Sequence, residues 1–127
     1  MSATTVSQPR AEGAAGPAAP SAADRKIVLM RLLACAEATR LGLEPSDAEM
    51  KAMARWWRRR YGLYRLEHFA AWLQFAGMSL ERFMAVMHDF VALSKVQDKY
   101  AEAIESAMQN HLAIHTIHTF VTQRGEL

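Results

Sequence analysis

The apolar residues of this chain follow a helical repeat from residue 22 onwards, and no run alternates with the two-residue period of a strand. Ser21 precedes the first repeat and Asp24 follows three residues later, which is the spacing of a capping box at a helix start. Gly42 permits the left-handed turn that ends a helix, and Pro45 prevents the helix from continuing. The pattern therefore predicts a first helix over Ala22–Leu41. Its expected inward-facing apolar stripe consists of Leu29, Leu32, Leu33 and Ala36.

Further helices are predicted downstream, each bounded by a capping residue or a glycine. Ser46 and Glu49 form a second capping box, and Ser79 caps the fourth helix. The polar stretch Ser94–Asp98 predicts a break before a fifth helix, and a single helix over Leu80–Gln123 is the alternative. The chain is therefore predicted to be an all-α, single-domain bundle of four or five helices with a long C-terminal helix. The inward positions expected in helices two to four are Met50, Met53, Ala54, Trp57, Leu66, Phe69, Ala70, Leu73, Phe83, Val86, Met87 and Phe90.

The first 21 residues differ in composition from the rest of the chain. They are mostly Ala, Gly, Pro, Ser and Thr, and a segment with so few large apolar side chains cannot offset the entropy of ordering. We expect residues 1–21 to be a disordered tail and residues 22–124 to form the helical domain. The tail lacks the basic start and apolar run of a secretion signal, and Cys35 is the single cysteine. These features favour the cytoplasm, with Cys35 as an inert thiol.

Two stretches of the chain carry a recognisable order of helix caps and core positions. RKIVLMRLLACAEATRLGLEPSDAEM joins a leucine-rich helix to an Ala-Glu-Ala step at residues 36–38, Leu-Gly at 41–42 and Ser-Asp-Ala-Glu at 46–49. YGLYRLEHFAAWLQFAGMSLERFMAVMHDFVALSKV continues with Leu63, Phe69, Leu73, Gly77, Ser79, Phe83, Leu93 and Lys95. Residues 25–96 thereby resemble the N-terminal helical domain of the SurA and parvulin-type foldases.

The resemblance implies a helical scaffold that holds another polypeptide. Members of this family bind unfolded or extended chains through apolar, partly exposed helical surfaces. The sequence has no parvulin isomerase domain and no signal peptide, so the resemblance implies neither isomerase activity nor a periplasmic role. A free-standing domain of this kind can present a precursor peptide to a modifying enzyme, which is an argument by analogy.

Aromatic, basic and methionine residues of helices two to four form the predicted binding surface. Large aromatics and arginine often carry binding energy, and methionine recurs on surfaces that accept varied peptides. The arginines are expected to attract acidic residues of the partner. The alternative is a solvated arginine face that forms salt bridges to Glu44, Glu49 or Glu67. The predicted peptide-binding residues are Trp56, Arg58, Arg59, Arg60, Trp72, Phe75, Met78 and Met84.

Three histidines share one face of the predicted fifth helix. His111, His115 and His118 lie at relative angles of roughly 0°, 40° and −20° on a helical wheel. The spacing of four residues between His111 and His115 suits a divalent metal such as zinc. No carboxylate on this helix completes the ligand set, and His68 or His88 would have to fold in. The alternative is a set of boundary histidines beside an apolar stripe.

The sequence favours a non-catalytic accessory factor that binds a protein or a peptide. It contains no Ser-His-Asp set, glycine-rich phosphate loop or paired carboxylates, so the chain is not expected to catalyse a reaction on its own. The second hypothesis is a small metal-binding subunit that uses the three histidines. The third is a nucleic-acid-binding protein, which the net charge of +2 does not favour. No segment is apolar enough to cross a membrane, and a homo-oligomer is compatible with all three hypotheses.

Overall fold

The computed structural model of the protein describes residues 18–125. Five helices follow one another with short connections, and the described residues contain no strand. They are α1 (Ala22–Leu41), α2 (Asp47–Arg60), α3 (Leu66–Ala76), α4 (Leu80–Lys99) and α5 (Ala101–Gln123). The predicted all-α bundle is confirmed, with five helices rather than four. Residues 1–17 of the predicted tail lie outside the described residues.

Side-chain caps explain where three of the helices begin. The Ser21 hydroxyl accepts a hydrogen bond from the Asp24 N–H at 3.1 Å, and the Asp24 carboxylate accepts one from the Ser21 N–H at 2.8 Å. Ser46 and Glu49 repeat this capping box at α2. The Ser79 hydroxyl accepts an N–H bond from the first turn of α4 at 3.1 Å. Backbone donors at helix starts have no partner within the helix, so these side chains stabilise the predicted starts.

The main core lies where α2 and α3 meet α4. Phe69 of α3 and Phe83 and Met87 of α4 are buried, and Trp57 and Trp72 pack against them. The Trp57 ring centroid lies 5.0 Å from that of Trp72 and 5.2 Å from that of Phe83. The Phe69 and Phe83 rings meet edge to face at 4.9 Å. Tilted and edge-to-face contacts are favoured by aromatic rings, so this cluster joins three helices.

α1 packs on α4 through small residues. Ala34 and Ala38 of α1 are buried, as is Ala92 of α4. Because alanine side chains are short, the two helices can approach closely at this crossing. Only the second half of α1 is covered in this way, since residues 21–30 are all exposed.

The predicted inward stripe of α1 is wrong. At 100° per residue, its four residues lie on the side of the helix roughly opposite Ala34 and Ala38, the residues that meet α4. The helix is apolar on both sides, so the repeat alone could not tell which side packs. All four stripe residues are exposed, and these are Leu29, Leu32, Leu33 and Ala36.

The predicted break between the last two helices is confirmed. It falls at Tyr100, just after the polar stretch Ser94–Asp98 in which a break was expected. The Tyr100 hydroxyl donates a hydrogen bond to the Glu37 carboxylate, which connects the junction to α1. Beyond this junction α5 contains no buried residue, so most of its length lies apart from the core.

Candidate binding surfaces

Six large apolar side chains are exposed between residues 27 and 33 of α1. Each leaves between 42% and 61% of its surface uncovered. A helix that is apolar all round is ordinarily buried in the core of its own protein. Covering six half-exposed aliphatic side chains would contribute about 5–9 kcal/mol before ordering costs. We call this surface the open face of α1, and it consists of Ile27, Val28, Leu29, Met30, Leu32 and Leu33. These residues surround the helix, and Leu29, Leu32 and Leu33 share the side that points away from α4.

Basic side chains predominate around the open face of α1. Residues 22–33 contain Arg25, Lys26 and Arg31 against the single acidic Asp24, a formal charge of +3 − 1 = +2. The backbone N–H of the capping serine donates to Asp24 and lowers the pKa of that carboxyl. Arg25 and Lys26 are exposed at the start of the helix. An acidic partner would therefore be attracted to this end of α1.

A second group of exposed apolar side chains belongs to α5. Residues 101–123 contain Glu102 and Glu105 and no lysine or arginine, so their formal charge is −2 with the histidines neutral. The charge of α5 is thus opposite to that of the first half of α1. The exposed fractions along α5 lie between 40% and 69%, for Ile104, Leu112, Ile114, Ile117 and Phe120.

The predicted binding residues of α3, α4 and the turn between them divide between core and surface. Trp72, Met78 and Met84 are half-buried and pack against the main core cluster. The ring contacts of Trp72 are with other core aromatics, the closest at 5.0 Å. Phe75 is 59% exposed. Of these four residues, Phe75 alone offers most of its side chain to a partner.

Arg58 contributes to the fold itself. Its Nε donates to the Leu63 carbonyl at 3.0 Å, and a terminal nitrogen donates to the Tyr64 carbonyl at 2.8 Å. The guanidinium carbon also lies 4.4 Å from the centre of the Phe69 ring, a cation–π contact. Arg58 therefore holds the connection between α2 and α3, and two of its five N–H donors are used there.

The other predicted residues of α2 remain on the surface. Trp56 is 57% exposed, and the Arg60 guanidinium lies 5.9 Å from the centre of its ring. Arg55 and Arg59 line a shallow depression beside them. No carboxylate among the described residues forms a salt bridge with either arginine. This aromatic and basic patch can therefore accept an anionic group.

A cleft of about 540 Å³ lies between α2 and α4, on the side of their interface where Trp56 is exposed. Its lining combines Met53 and Val91 with an ion pair in which Lys95 donates to the Glu49 carboxylate at 2.9 Å. Glu49 thus pairs with a lysine of α4 and not with an arginine of α2. Arg55, Arg59 and Arg60 are exposed, as the solvated-face alternative expects, but none of Glu44, Glu49 and Glu67 forms a salt bridge with them.

The three histidines of α5 are all exposed. The rings of His111 and His115 adjoin, with centroids 4.5 Å apart, as expected for residues one helical turn apart. His118 lies on the next turn and is also exposed. No cysteine, aspartate or glutamate among the described residues joins these histidines in a group of potential metal ligands. The geometry offers a metal two adjacent imidazoles and no charged ligand.

Cys35, His88 and Asp89 meet where α1 crosses α4. The Cys35 thiol donates to Asp89 Oδ1 at 3.1 Å, and His88 Nδ1 lies 3.2 Å from the same oxygen. One potential ligand atom of each residue lies within 4.8 Å of the others, and all three residues are half-buried. Sequence reasoning missed this group because 54 residues separate Cys35 from Asp89 and only the helix crossing brings them together.

This arrangement does not activate Cys35 as a nucleophile. Burial raises the pKa of its thiol to about 11, and the hydrogen bond to Asp89 acts in the same direction. The reactive form of cysteine is the thiolate, which such an environment disfavours. A catalytic cysteine is activated by a base such as a histidine, whereas here a carboxylate accepts the S–H.

No protein-family model, curated protein or solved structure matches the chain. Among the described residues, no helix combines the length and apolar character needed to cross a membrane. What the protein does is therefore inferred from its own residues and their geometry.

Proposed function

We propose that the protein is a non-catalytic, cytoplasmic factor that holds another polypeptide against the open face of α1. The observation that carries the proposal is the exposure of six large apolar side chains on one helix. Isolated apolar residues are common on protein surfaces, but a contiguous group of this size is typical of an interaction site. The single cysteine supports the reducing environment of the cytoplasm.

The charges of α1 support a particular kind of partner. An amphipathic helix can lie along the side of the open face that carries Leu29, Leu32 and Leu33, with its own apolar side inward, which is a common mode of peptide recognition. Arg25 and Lys26 favour a partner whose flanking residues are acidic. The resemblance to the SurA-type domain favours the same role, and presenting a precursor peptide to a modifying enzyme is the biological setting it suggests. The net charge of +2 supports a protein partner over nucleic acid.

The proposal can be tested by selecting ligands from a library of helical peptides displayed on phage. The expected result is enrichment of amphipathic peptides with acidic flanks. Replacing Leu29 and Leu32 together by glutamate should weaken the best peptide by roughly 30–100-fold, because two apolar contacts are lost and charge is buried. The measurement is fluorescence anisotropy of the labelled peptide.

A matched control on α5 separates the open face from exposed apolar residues in general. Replacing Ile114 and Ile117 by glutamate introduces the same two charges on another exposed helix, and we expect the peptide affinity to stay within about threefold. Circular dichroism should show that both variants remain helical. Equal losses in the two variants, or no enrichment of any peptide by the wild-type protein, would contradict the proposal.

A further inference from the structure

We propose that Cys35, His88 and Asp89 bind a zinc-class divalent metal ion that joins α1 to α4. The three residues supply a sulfur, an imidazole nitrogen and a carboxylate oxygen within 4.8 Å of one another. Zinc binds all three ligand types, in sites with three or four protein ligands. This inference does not rest on the proposed function.

The distances suit tetrahedral coordination. With zinc–sulfur bonds of about 2.3 Å and zinc–nitrogen or zinc–oxygen bonds of about 2.0–2.2 Å, neighbouring ligand atoms in a tetrahedron lie about 3.3–3.6 Å apart. The Cys35 sulfur and His88 Nδ1 lie 3.1 Å and 3.2 Å from Asp89 Oδ1. These two distances need to lengthen by only a few tenths of an ångström. The sulfur and the histidine nitrogen lie within 4.8 Å of each other, so bringing them to the tetrahedral spacing closes their distance by at most about 1.2 Å.

The donor set also selects among metals. A cysteine ligand favours zinc and other thiophilic ions over magnesium and calcium, which prefer oxygen ligands throughout. The His88 side chain is 41% exposed, so water can reach the ion and complete its coordination. Arg31, one turn before Cys35, is a nearby positive charge that opposes a cation, and the Asp89 carboxylate offsets it.

Binding exchanges a proton for the metal. The S–H bond of Cys35 breaks, its proton passes to solvent, and a sulfur–metal bond replaces it. The ion would then strengthen a crossing that the alanine packing and the hydrogen bond between Cys35 and Asp89 already hold together. Because the metal binds the folded chain in preference to the unfolded one, a hundredfold excess of free metal over Kd should raise the melting temperature by about 10 °C.

The test uses the full-length, tag-free protein with a non-thiol reductant. Equilibrium dialysis against zinc should give one ion per chain, and cobalt should produce the charge-transfer band of a thiolate ligand. Cys35→Ser should abolish that band, and both Cys35→Ser and His88→Ala should lower zinc affinity at least about 100-fold, because each removes a direct ligand. Circular dichroism checks that each variant is folded.

The exposed histidines of α5 provide the matched control. The double variant His111→Ala/His115→Ala should keep the zinc stoichiometry, the cobalt band and the rise in melting temperature. Zinc binding that persists in Cys35→Ser but disappears in His111→Ala/His115→Ala would overturn the inference and place the metal on α5. The absence of binding at micromolar zinc would overturn it as well.

Discussion

Trp72 shows how a single side chain on the edge of the core can resemble a binding residue. It falls outside the regular stripe of α3, yet its ring lies 5.0 Å from Trp57 and 6.1 Å from Phe83. A large ring on α3 can reach across to α2 and α4, so its angular position on the helix does not determine its burial. Sequence periodicity therefore assigned Trp72 to the surface, although its contacts are those of the core.

We expect Trp72→Ala to lower the free energy of unfolding by about 2–4 kcal/mol, because it leaves a gap in the aromatic cluster. Phe75→Ala on the same helix serves as the control. Phe75 is 59% exposed, so its replacement should cost less than about 1 kcal/mol. Urea denaturation measures both changes, and equal losses would contradict the assignment of Trp72 to the core.

Glu37 connects the end of α1 with the junction of α4 and α5. It accepts hydrogen bonds from Arg40 at 2.8 Å and 2.6 Å and from the Tyr100 hydroxyl. The Arg40 guanidinium, followed by the Tyr100 hydroxyl, lowers the pKa of Glu37 from 4.5 to about 2. These interactions therefore stabilise the fold above pH 4.5, and their contribution is lost as the pH falls towards 2.

Glu37→Gln should reduce the acid sensitivity of the protein. The free energy of unfolding of the wild type should fall between pH 4.5 and pH 2 more steeply than that of the variant. Arg40→Gln should flatten the profile in the same way, because it removes the strongest partner of the carboxylate. Urea unfolding at a series of pH values measures the slopes, and identical profiles for wild type and Glu37→Gln would refute this role.

At the scale of the helices, the residues at which each helix begins and ends were predictable, because caps are formed by residues that are close together in the sequence. Ser21 with Asp24 and Ser46 with Glu49 form the expected capping boxes. Gly42 adopts the left-handed conformation, with φ of 71°, that ends α1. The side of α1 that packs was not predictable, because the helix is apolar all round. Which side is buried depends on how α4 crosses the helix.

The packing at the crossing of α1 and α4 predicts which substitutions destabilise the fold, and this prediction is opposite to the one that follows from the expected apolar stripe. Ala38 is 1% exposed and Ala92 is fully buried, so Ala38→Leu should overpack the crossing and cost about 1–3 kcal/mol. Leu33→Ala, at a position 60% exposed, should cost less than about 1 kcal/mol. Chemical denaturation gives both values. A larger loss for Leu33→Ala would mean that the stripe, and not the alanine side, is packed.

At the scale of the whole molecule, sequence patterns could not predict which residues that are far apart in the chain lie close together in the fold. The Cys35–His88–Asp89 group forms only because two helices far apart in sequence cross at these residues. The sequence instead predicted a metal site at His111 and His115, because their spacing of four residues on one helix can be recognised without knowing the fold. Local spacing is therefore a good guide to neighbours on a helix and a poor guide to sites shared between helices.

The opposite charges of α1 and α5 predict weak self-association when no partner is present. The first half of α1 carries +2 and α5 carries −2, and both expose apolar side chains. We expect the mass in sedimentation equilibrium to rise with concentration from 14.2 kDa towards twice that value. Ile114→Glu/Ile117→Glu should keep the protein monomeric and leave its peptide-binding face free. A wild-type protein that stays monomeric at high concentration would contradict this prediction.

Amide hydrogen exchange tests most directly the proposal that the open face of α1 binds a polypeptide. The first half of α1 has few tertiary contacts, so the amides of residues 22–33 should exchange rapidly in the free protein. Adding a saturating acidic amphipathic peptide from the library should slow exchange in residues 22–33 by at least about tenfold, with little change in α3. Slower exchange confined to α2 and α4 around Trp56, with α1 unaffected, would contradict the proposal and place the partner in the cleft between those helices.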